Sequence, residues 1–342
     1  MPMIKVAVVI LNYNGKSYLS KFLPGVIQHS KPFGEVIVAD NASTDGSVDM
    51  LQTDFPDIRV IKNPSNGGFT TGYNLALKQI EAEYFVLLNS DIEVSNRWLE
   101  PVIQLMDNDH NIAACQPKIL SLVQPSHFEY AGAGGGFIDR FGYPFCRGRI
   151  FNHLEEDMGQ YNDSREVFWA SGACMFVRAE LYQSHGGLDD SFFAHMEEID
   201  YCWRLKNLGY KIMYCGESTV FHIGGGTLPK ISARKTYYNF RNNLSLLVKN
   251  LPADKVISII IIRLFLDGAA SLKFLMQGGI SHFLAVFRAH LHFYRKLPYL
   301  MKSRKQLRQQ QVSGIYNQNI AVEYFLKGKK SFTDLNDKAF SK

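Results

Sequence analysis

The chain is poor in cysteine. Of its 342 residues only Cys115, Cys146, Cys174, Cys202 and Cys215 are cysteine, and no two form a C-x-x-C pair. Buried reduced thiols are therefore expected, and a disulfide framework or thiolate zinc site is not. Two phosphate-binding signatures are also missing. There is no G-x-x-x-x-G-K-[ST] and no G-x-G-x-x-G after the first apolar run, which disfavours an ATP or dinucleotide site of the usual glycine-loop kind. A third absence is an apolar run of the about 20 residues that a membrane-spanning helix needs. The richest stretch, around Val256–Leu266, is interrupted by Arg263, Asp267 and Lys273. Val6–Leu11 is too short for the core of a signal peptide and runs directly into Asn12-Tyr13-Asn14-Gly15. It reads as a buried first strand, with the chain expected in the cytoplasm. Internal repeats and low-complexity tracts are lacking too.

What is present is an ordinary globular balance, 46% hydrophobic and 20% charged, enough for one large domain and a smaller appendage. The net charge of +5 hides a division. Residues 1–227 carry 17 Lys+Arg against 27 Asp+Glu, and residues 228–342 carry 20 against 5. An acidic front and a basic rear point to different tasks.

In the front, four apolar runs (Val6–Leu11, Val36–Ala39, Val60-Ile61 and Tyr84–Leu88) alternate with helix-like stretches near 17–29, 47–54 and 70–80. This pattern predicts an α/β domain whose mostly parallel sheet is covered on both faces. In such sheets the ligand crevice lies at the carboxyl ends of the strands. Each run here leads to polar residues: Asn12 and Asn14, then Asp40–Asp45, then Asn66-Gly67-Gly68, then Asn89-Ser90-Asp91. One such cluster is ordinary turn chemistry, but four along one sheet edge favour a site. The middle, residues 120–166, is irregular, and its Gly132–Gly136 run decides nothing. Further on, strands are predicted within Phe168–Val177, around 211–214 and near 219–221, with a helix over 198–208.

Three constellations carry chemistry. With no glycine loop, a diphosphate is expected to be neutralised by a divalent cation on carboxylate. Asp91, at a strand end, suits that task, though a lone Asp there is equally a cap or turn residue. Glu197, Glu198 and Asp200 open a helix, where acid is stabilised by the dipole; one of them is also a candidate general base. Asp189 and Asp190 lie just upstream. His222 follows a strand and precedes Gly224-Gly225-Gly226. It is either a structural histidine or a metal ligand.

Together these residues resemble family 2 glycosyltransferases of the GT-A fold, in particular the rhamnosyltransferase-like branch. The resemblance covers about residues 4–250. It rests on Val9–Gly15, on Val38–Ser47, on Asn66–Phe69 with Gly72-Tyr73-Asn74, on Leu87–Asp91, and on Gly187–Asp190 with Phe192-Phe193 and Glu197–Asp200. It implies a GT-A catalytic domain over 1–227, with a nucleotide-sugar half to about 118 and an acceptor half from 119. It implies that Asp40, with Asn12, Asn14, Asn66, Gly67 and Asn89, binds the sugar nucleotide. Asp91 and His222 would hold Mg2+ or Mn2+, and Glu198 would be the base. Two departures matter: the base position carries Glu where the family usually has Asp, and Asn89 replaces the first carboxylate of the D-x-D motif. Glu197 and Asp200 therefore stay open as bases.

The implied reaction is single displacement with inversion, from a nucleotide-diphosphate sugar such as dTDP-rhamnose or a UDP-sugar. The acceptor would be a hydroxyl of a saccharide or lipid-linked acceptor in cell-surface polysaccharide or glycolipid assembly. A non-catalytic sugar-nucleotide-binding subunit and a nucleotidyltransferase are the rival classes, and nucleic acid is not an expected partner. Residues 228–342 are expected to form a basic helical region. It either packs on the core or lies on an anionic membrane surface, with Arg288, Arg295, Lys296, Lys302, Arg304, Lys305 and Arg308 toward lipid.

Overall fold

The computed structural model describes residues 4–224 and 232–342. Gly225, Gly226 and the expected boundary between residues 227 and 228 lie outside the described residues.

β-branched and aromatic runs form the strands of the front half, and amphipathic stretches form the crossovers. The order is β1 (Ile4–Asn12), α1 (Lys16–Ser30), β2 (Gly34–Asp40), α2 (Ser47–Asp54), β3 (Arg59–Lys62), α3 (Gly68–Leu77) and β4 (Ala82–Asn89). Then come β5 (Ile92–Val94), α4 (Glu100–Asn108), β6 (Ile112–Ser121), β7 (Gly136–Asp139), β8 (Pro144–Cys146), β9 (Arg149–Ile150) and β10 (His153–Leu154). β11 (Ser164–Val167), β12 (Cys174–Arg178), α5 (Ala179–Ser184), α6 (Glu197–Asn207) and β13 (Lys211–His222) complete the front.

Among the described residues the main sheet has nine strands, ordered β11-β13-β6-β12-β4-β1-β2-β3 with β5 on β13. β1, β2, β3 and β4 run parallel, as their intervening helices require. β12 is antiparallel to both β4 and β6. Successive residues of β1 serve opposite faces. Ala7 and Val9 enter one core with Phe85 and Leu87, and Val6, Val8 and Ile10 enter the other with Val86 and Leu88. Burial on both sides explains why these strands read as continuous apolar runs.

Two sequence expectations shift. The strands predicted near 211–214 and 219–221 are one strand, β13, whose register against β6 breaks between Cys215 and Thr219. The strand expected within 168–177 begins only at Cys174, because Ser171 accepts the Cys174 N–H and turns the chain first.

The rear supplies α7 (Ala233–Asn250), α8 (Ala253–Met276) and α9 (Ile280–Gln306), then β14 (Ile315–Tyr316) and α10 (Ile320–Phe325). The last stretch thus leaves helix and returns to the front. β14 pairs with β7 and closes a five-stranded sheet, β10-β9-β8-β7-β14. Phe332 packs on Phe137 and Phe145, with ring centroids 5.1 and 6.3 Å away, so the tail shares the front's core. Phe332→Ala is expected to cost about 3–5 kcal/mol. The check is a urea midpoint that falls while the starting far-UV circular dichroism is unchanged.

Candidate active site

Strand register assembles the crevice. Asn12 stands opposite Asp40, and Leu11 opposite Asn89, so the polar ends of β1, β2 and β4 lie side by side. Asp40 is buried with both oxygens engaged: Asn12 Nδ2 donates to Oδ1 at 2.9 Å and the Ser43 N–H to Oδ2 at 2.9 Å. Asn14 sits at φ 52° and accepts the Thr44 N–H at 2.8 Å. These bonds tie the loop after β1 to the loop after β2. Asn66 accepts the Gly68 N–H at 2.9 Å, and Asn41 donates to the Gly68 carbonyl at 2.9 Å. Gly67 starts α3. Gly68 has φ +82°, and a Cβ there would lie 2.7 Å from the Phe193 carbonyl oxygen, so only glycine fits.

The second cluster comes from β13 running antiparallel to β5, with His222 opposite Ile92. That register sets the imidazole beside Asp91. His222 Nε2 is 3.1 Å from Asp91 Oδ1 and 3.5 Å from Asn89 Nδ2. On the other side His222 Nδ1 is 3.1 Å from Glu129 Oε2. All three groups are buried. Burial opposes charge on the imidazole, but hydrogen bonds to Asp91 and Glu129 outweigh it and raise its pKa to about 10. Burial likewise pushes the Glu129 carboxyl up, yet the bond and charge of His222, with backbone N–H groups, hold it below the usual range. Sequence reasoning missed Glu129. It lies 93 residues from its partner, in the irregular stretch after β6. It reaches β13 only because that stretch folds back, with the Glu129 N–H donating to the Ile119 carbonyl.

The acidic group at the start of α6 separates into different environments. Asp200 is fully buried and both oxygens are taken: Asn250 donates to Oδ1 at 2.8 Å, while Lys249 (2.7 Å) and Arg204 (3.0 Å) donate to Oδ2. Asp189 pairs with the same Lys249 at 2.6 Å. Burial raises its pKa, but the lysine prevails and brings it to about 2. Asp190 accepts from Thr71 and Asn74, each at 2.9 Å. Glu197 is buried, and its carboxyl is pushed well above the usual range by burial and by the Glu198 charge. Glu198 is partly exposed and pushed up to about 7 by burial, against backbone hydrogen bonds. Its Oε2 has no hydrogen-bond partner. It lies beside Gly172, where an added Cβ would be 3.8 Å from Glu198 Cβ and 3.1 Å from the Phe69 ring.

The loop before α6 holds Phe193, His195 and Met196 at φ of 68°, 68° and 73°. Such backbone persists only when its surroundings hold it. They do: Asn242 donates to the carbonyls of Phe192, Ala194 and His195, Arg241 donates to Phe192, and the Phe69 N–H donates to Phe193. The glycine loop and the acidic helix are therefore joined.

The sequence profile of glycosyl transferase family 2 matches residues 7–186. The chain belongs to glycosyl transferase family 2. The glycosyltransferase is 24% identical over 242 residues to the N-acetylglucosaminyl-diphospho-decaprenol L-rhamnosyltransferase of Mycobacterium tuberculosis, covering 63% of this chain and 75% of that one. This supports the rhamnosyltransferase-like branch. It is 22% identical over 241 residues to the low-salt glycan biosynthesis hexosyltransferase Agl10 of Haloferax volcanii, covering 69% and 73%. Its fold is that of GT-A glycosyltransferases. GalNAc-T7, solved with UDP, GalNAc and Mn2+, superposes with a TM-score of 0.57 at 16% identity, over 74% of this chain and about half (49%) of that one. Residues 1–349 of Staphylococcus aureus TarS, solved with UDP-GlcNAc, give 0.53 at 16%, over 88% and 92%. The enzyme class is thus a hexosyl-type transferase using nucleotide sugars.

Asp200→Ala would leave the buried Lys249 ammonium short of a counter-charge. A loss of about 3–5 kcal/mol of stability is expected, read as a lowered thermal midpoint. A normal midpoint with abolished turnover would instead make Asp200 part of the chemistry.

Proposed function

We propose that the enzyme inverts configuration at the sugar by single displacement, with Glu198 as general base. The observation that carries this is the Glu198 carboxylate: one oxygen unpartnered, a pKa near 7, and a place beside Gly172 and Phe69 next to the Asn66–Gly68 loop. A base is most effective when its pKa lies near the working pH. Asp200 has no free oxygen, and Glu197 is buried with its carboxyl pushed well above the usual range, which supports Glu198 over both.

In this reading Asp40, Asn12, Asn14, Asn66, Gly67 and Asn89 shape the nucleotide side of the crevice. Asp91 offers a carboxylate oxygen to Mg2+ or Mn2+, and His222 would offer its Nε2 nitrogen once the cation displaces the proton held there against Asp91; Glu129 fixes the imidazole from behind, as carboxylates commonly do at metal-bound histidines. Among the described residues no third acidic, cysteine or histidine side chain completes a cage, which suits a site where diphosphate and water supply the remaining ligands. A bound divalent cation neutralises charge on the leaving diphosphate. Glu198 takes the acceptor hydroxyl proton, and the strained loop held by Asn242 keeps it in position.

For the donor we infer dTDP-rhamnose or a UDP-sugar; the rhamnosyltransferase relative supports the sugar of the first, and the neighbour solved with UDP-GlcNAc the second. The rhamnosyltransferase named for a diphospho-decaprenol-linked substrate supports a lipid-linked saccharide as acceptor, in cell-surface polysaccharide or glycolipid assembly.

Glu198→Gln is expected to lower kcat by about 10²–10⁴-fold while leaving donor binding by calorimetry unchanged. In the wild type, kcat/KM should rise with pH through about 7 and level off above it, because the base must be ionised. Near-normal turnover of Glu198→Gln would return the role to Glu197.

A further inference from the structure

The exposed faces of α8 and α9 carry an unusual amount of apolar surface. On α8, Ile257, Ile261, Leu264, Phe265, Leu272 and Met276 are all exposed, Ile257 and Phe265 by 72% and Met276 by 80%. Their spacing of three, four and seven residues puts them on one side of the helix. At 1.5 Å per residue the stripe is about 28 Å long. On α9, Ile280, Leu284, Phe287 and Leu291 repeat the pattern at intervals of three and four and are exposed as well.

Two of the three charges that interrupt this region in sequence are turned inward, while Lys273 is exposed. Arg263 and Asp267 are buried and paired, with Arg263 Nε 3.0 Å from Asp267 Oδ1 and Nη1 2.8 Å from the Phe141 carbonyl. His290 of α9 closes the network at 3.2 Å from Asp267 Oδ2. A helix that would be amphipathic with its apolar side inward is here reversed over much of its length. A soluble monomer rarely leaves so large an apolar patch in water.

The rim is mostly basic, with exposed Asp254 in the first turn of α8 as the acidic exception. α9 contains no Asp or Glu, and its Arg288, Arg295, Lys302 and Lys305 are exposed. Two of the expected lipid-facing cations are not. Lys296 donates to the Ser191 carbonyl at 2.9 Å, and Arg304 is buried on the Val248 carbonyl at 2.7 Å, so both serve packing. Among the described residues no helix is long and apolar enough to cross a membrane.

We propose that the α8–α9 hairpin docks in the plane of an anionic membrane, its two apolar stripes in the headgroup boundary and its basic rim on lipid phosphates. A second copy of the chain fits less well, because two faces with basic rims would repel. The turn of the hairpin lies close to the catalytic loop. Phe274 and His282 contact Phe240 and Thr236 of α7, with ring centroids 6.5 Å apart for Phe240–Phe274 and Thr236 Oγ1 2.8 Å from His282 Nδ1. Tyr238, on the same helix, stacks on Phe193 at 5.6 Å. One helix thus links the docking face to the loop before Glu198, the arrangement a membrane-presented acceptor requires. The docking rests on the proposed acceptor only for its purpose.

The test is flotation of the full-length protein with phosphatidylcholine vesicles, with and without phosphatidylglycerol, in the absence of donor and acceptor. Binding is expected with phosphatidylglycerol, weakening as salt rises. Ile261→Asp/Phe265→Asp should lower the partition coefficient about 100-fold, and Arg295→Glu/Lys302→Glu should reduce binding to the level seen on neutral vesicles. Unchanged circular dichroism and thermal midpoints confirm that the variants fold. A wild type that stays in the aqueous phase at low salt, or an apolar-stripe variant that floats like the wild type, would overturn the proposal. So would a dimer in sedimentation velocity that the stripe variant converts to monomer while vesicles capture neither. Since no sugar is transferred, loss of vesicle binding leaves the transfer reaction standing, and an inactive but floating enzyme would count against the transfer reaction alone.

Discussion

The contact between Asp91 and His222 depends on the antiparallel pairing of β13 with β5, and much of the crevice depends on that contact. The two residues are separated by 131 positions. They meet because β13 also lies beside β6, whose following loop returns Glu129 to the far side of the ring. A buried imidazole between two buried carboxylates is stable only with charge compensation on each face. The arrangement therefore fixes ring orientation strongly: Nδ1 is committed to Glu129 and Nε2 faces Asp91 beside Asn89. The loss of a carboxylate at Asn89, relative to the usual D-x-D pattern, is set against this supported histidine.

On the other side of the crevice a different constraint operates. The backbone before α6 is held in left-handed conformations at three non-glycine residues, and the compensation comes from α7. The Asn242 amide, with two N–H bonds, is shared among three carbonyls of that loop. Asp200 anchors the helix by gathering Lys249, Asn250 and Arg204. Of the three carboxylates at the start of α6, Asp200 has both oxygens taken, Glu197 is buried with its Oε2 unpartnered, and Glu198 is the partly exposed one. The rear of the chain is thus no simple appendage. α7 braces the loop before α6, and the final residues complete the second sheet.

Much of the front was legible in the sequence because its strands are buried on both faces and its helices are short crossovers. Apolar runs and polar strand ends located β1 to β4 and the edge where Asn12, Asp40, Asn66 and Asn89 gather. Glu129 was not legible. Its importance arises from a fold-back over residues 122–135, which leaves no periodicity and no local spacing to its partner. The rear was legible only in outline for a related reason. Arg263 and Asp267 look like interruptions of an apolar helix when counted along the chain, but their pairing with His290 turns them inward and leaves the apolar stripe intact. Likewise the cations Lys296 and Arg304 resemble their exposed neighbours in sequence and differ only in the carbonyls they reach. Nothing in composition distinguishes β14, two residues long, from the helices around it.

The central claim is that strand pairing presents His222 Nε2, oriented by Glu129, to a divalent cation beside Asp91. Pulsed electron paramagnetic resonance on the enzyme with Mn2+ and a nucleoside diphosphate measures nitrogen coordination directly. The account predicts one histidine nitrogen coupled to the manganese, absent in His222→Ala, together with Mn2+ affinity reduced about 10–100-fold in Glu129→Ala. A Mn2+ complex with no nitrogen coupling in the wild type, or with coupling that survives His222→Ala, would contradict it.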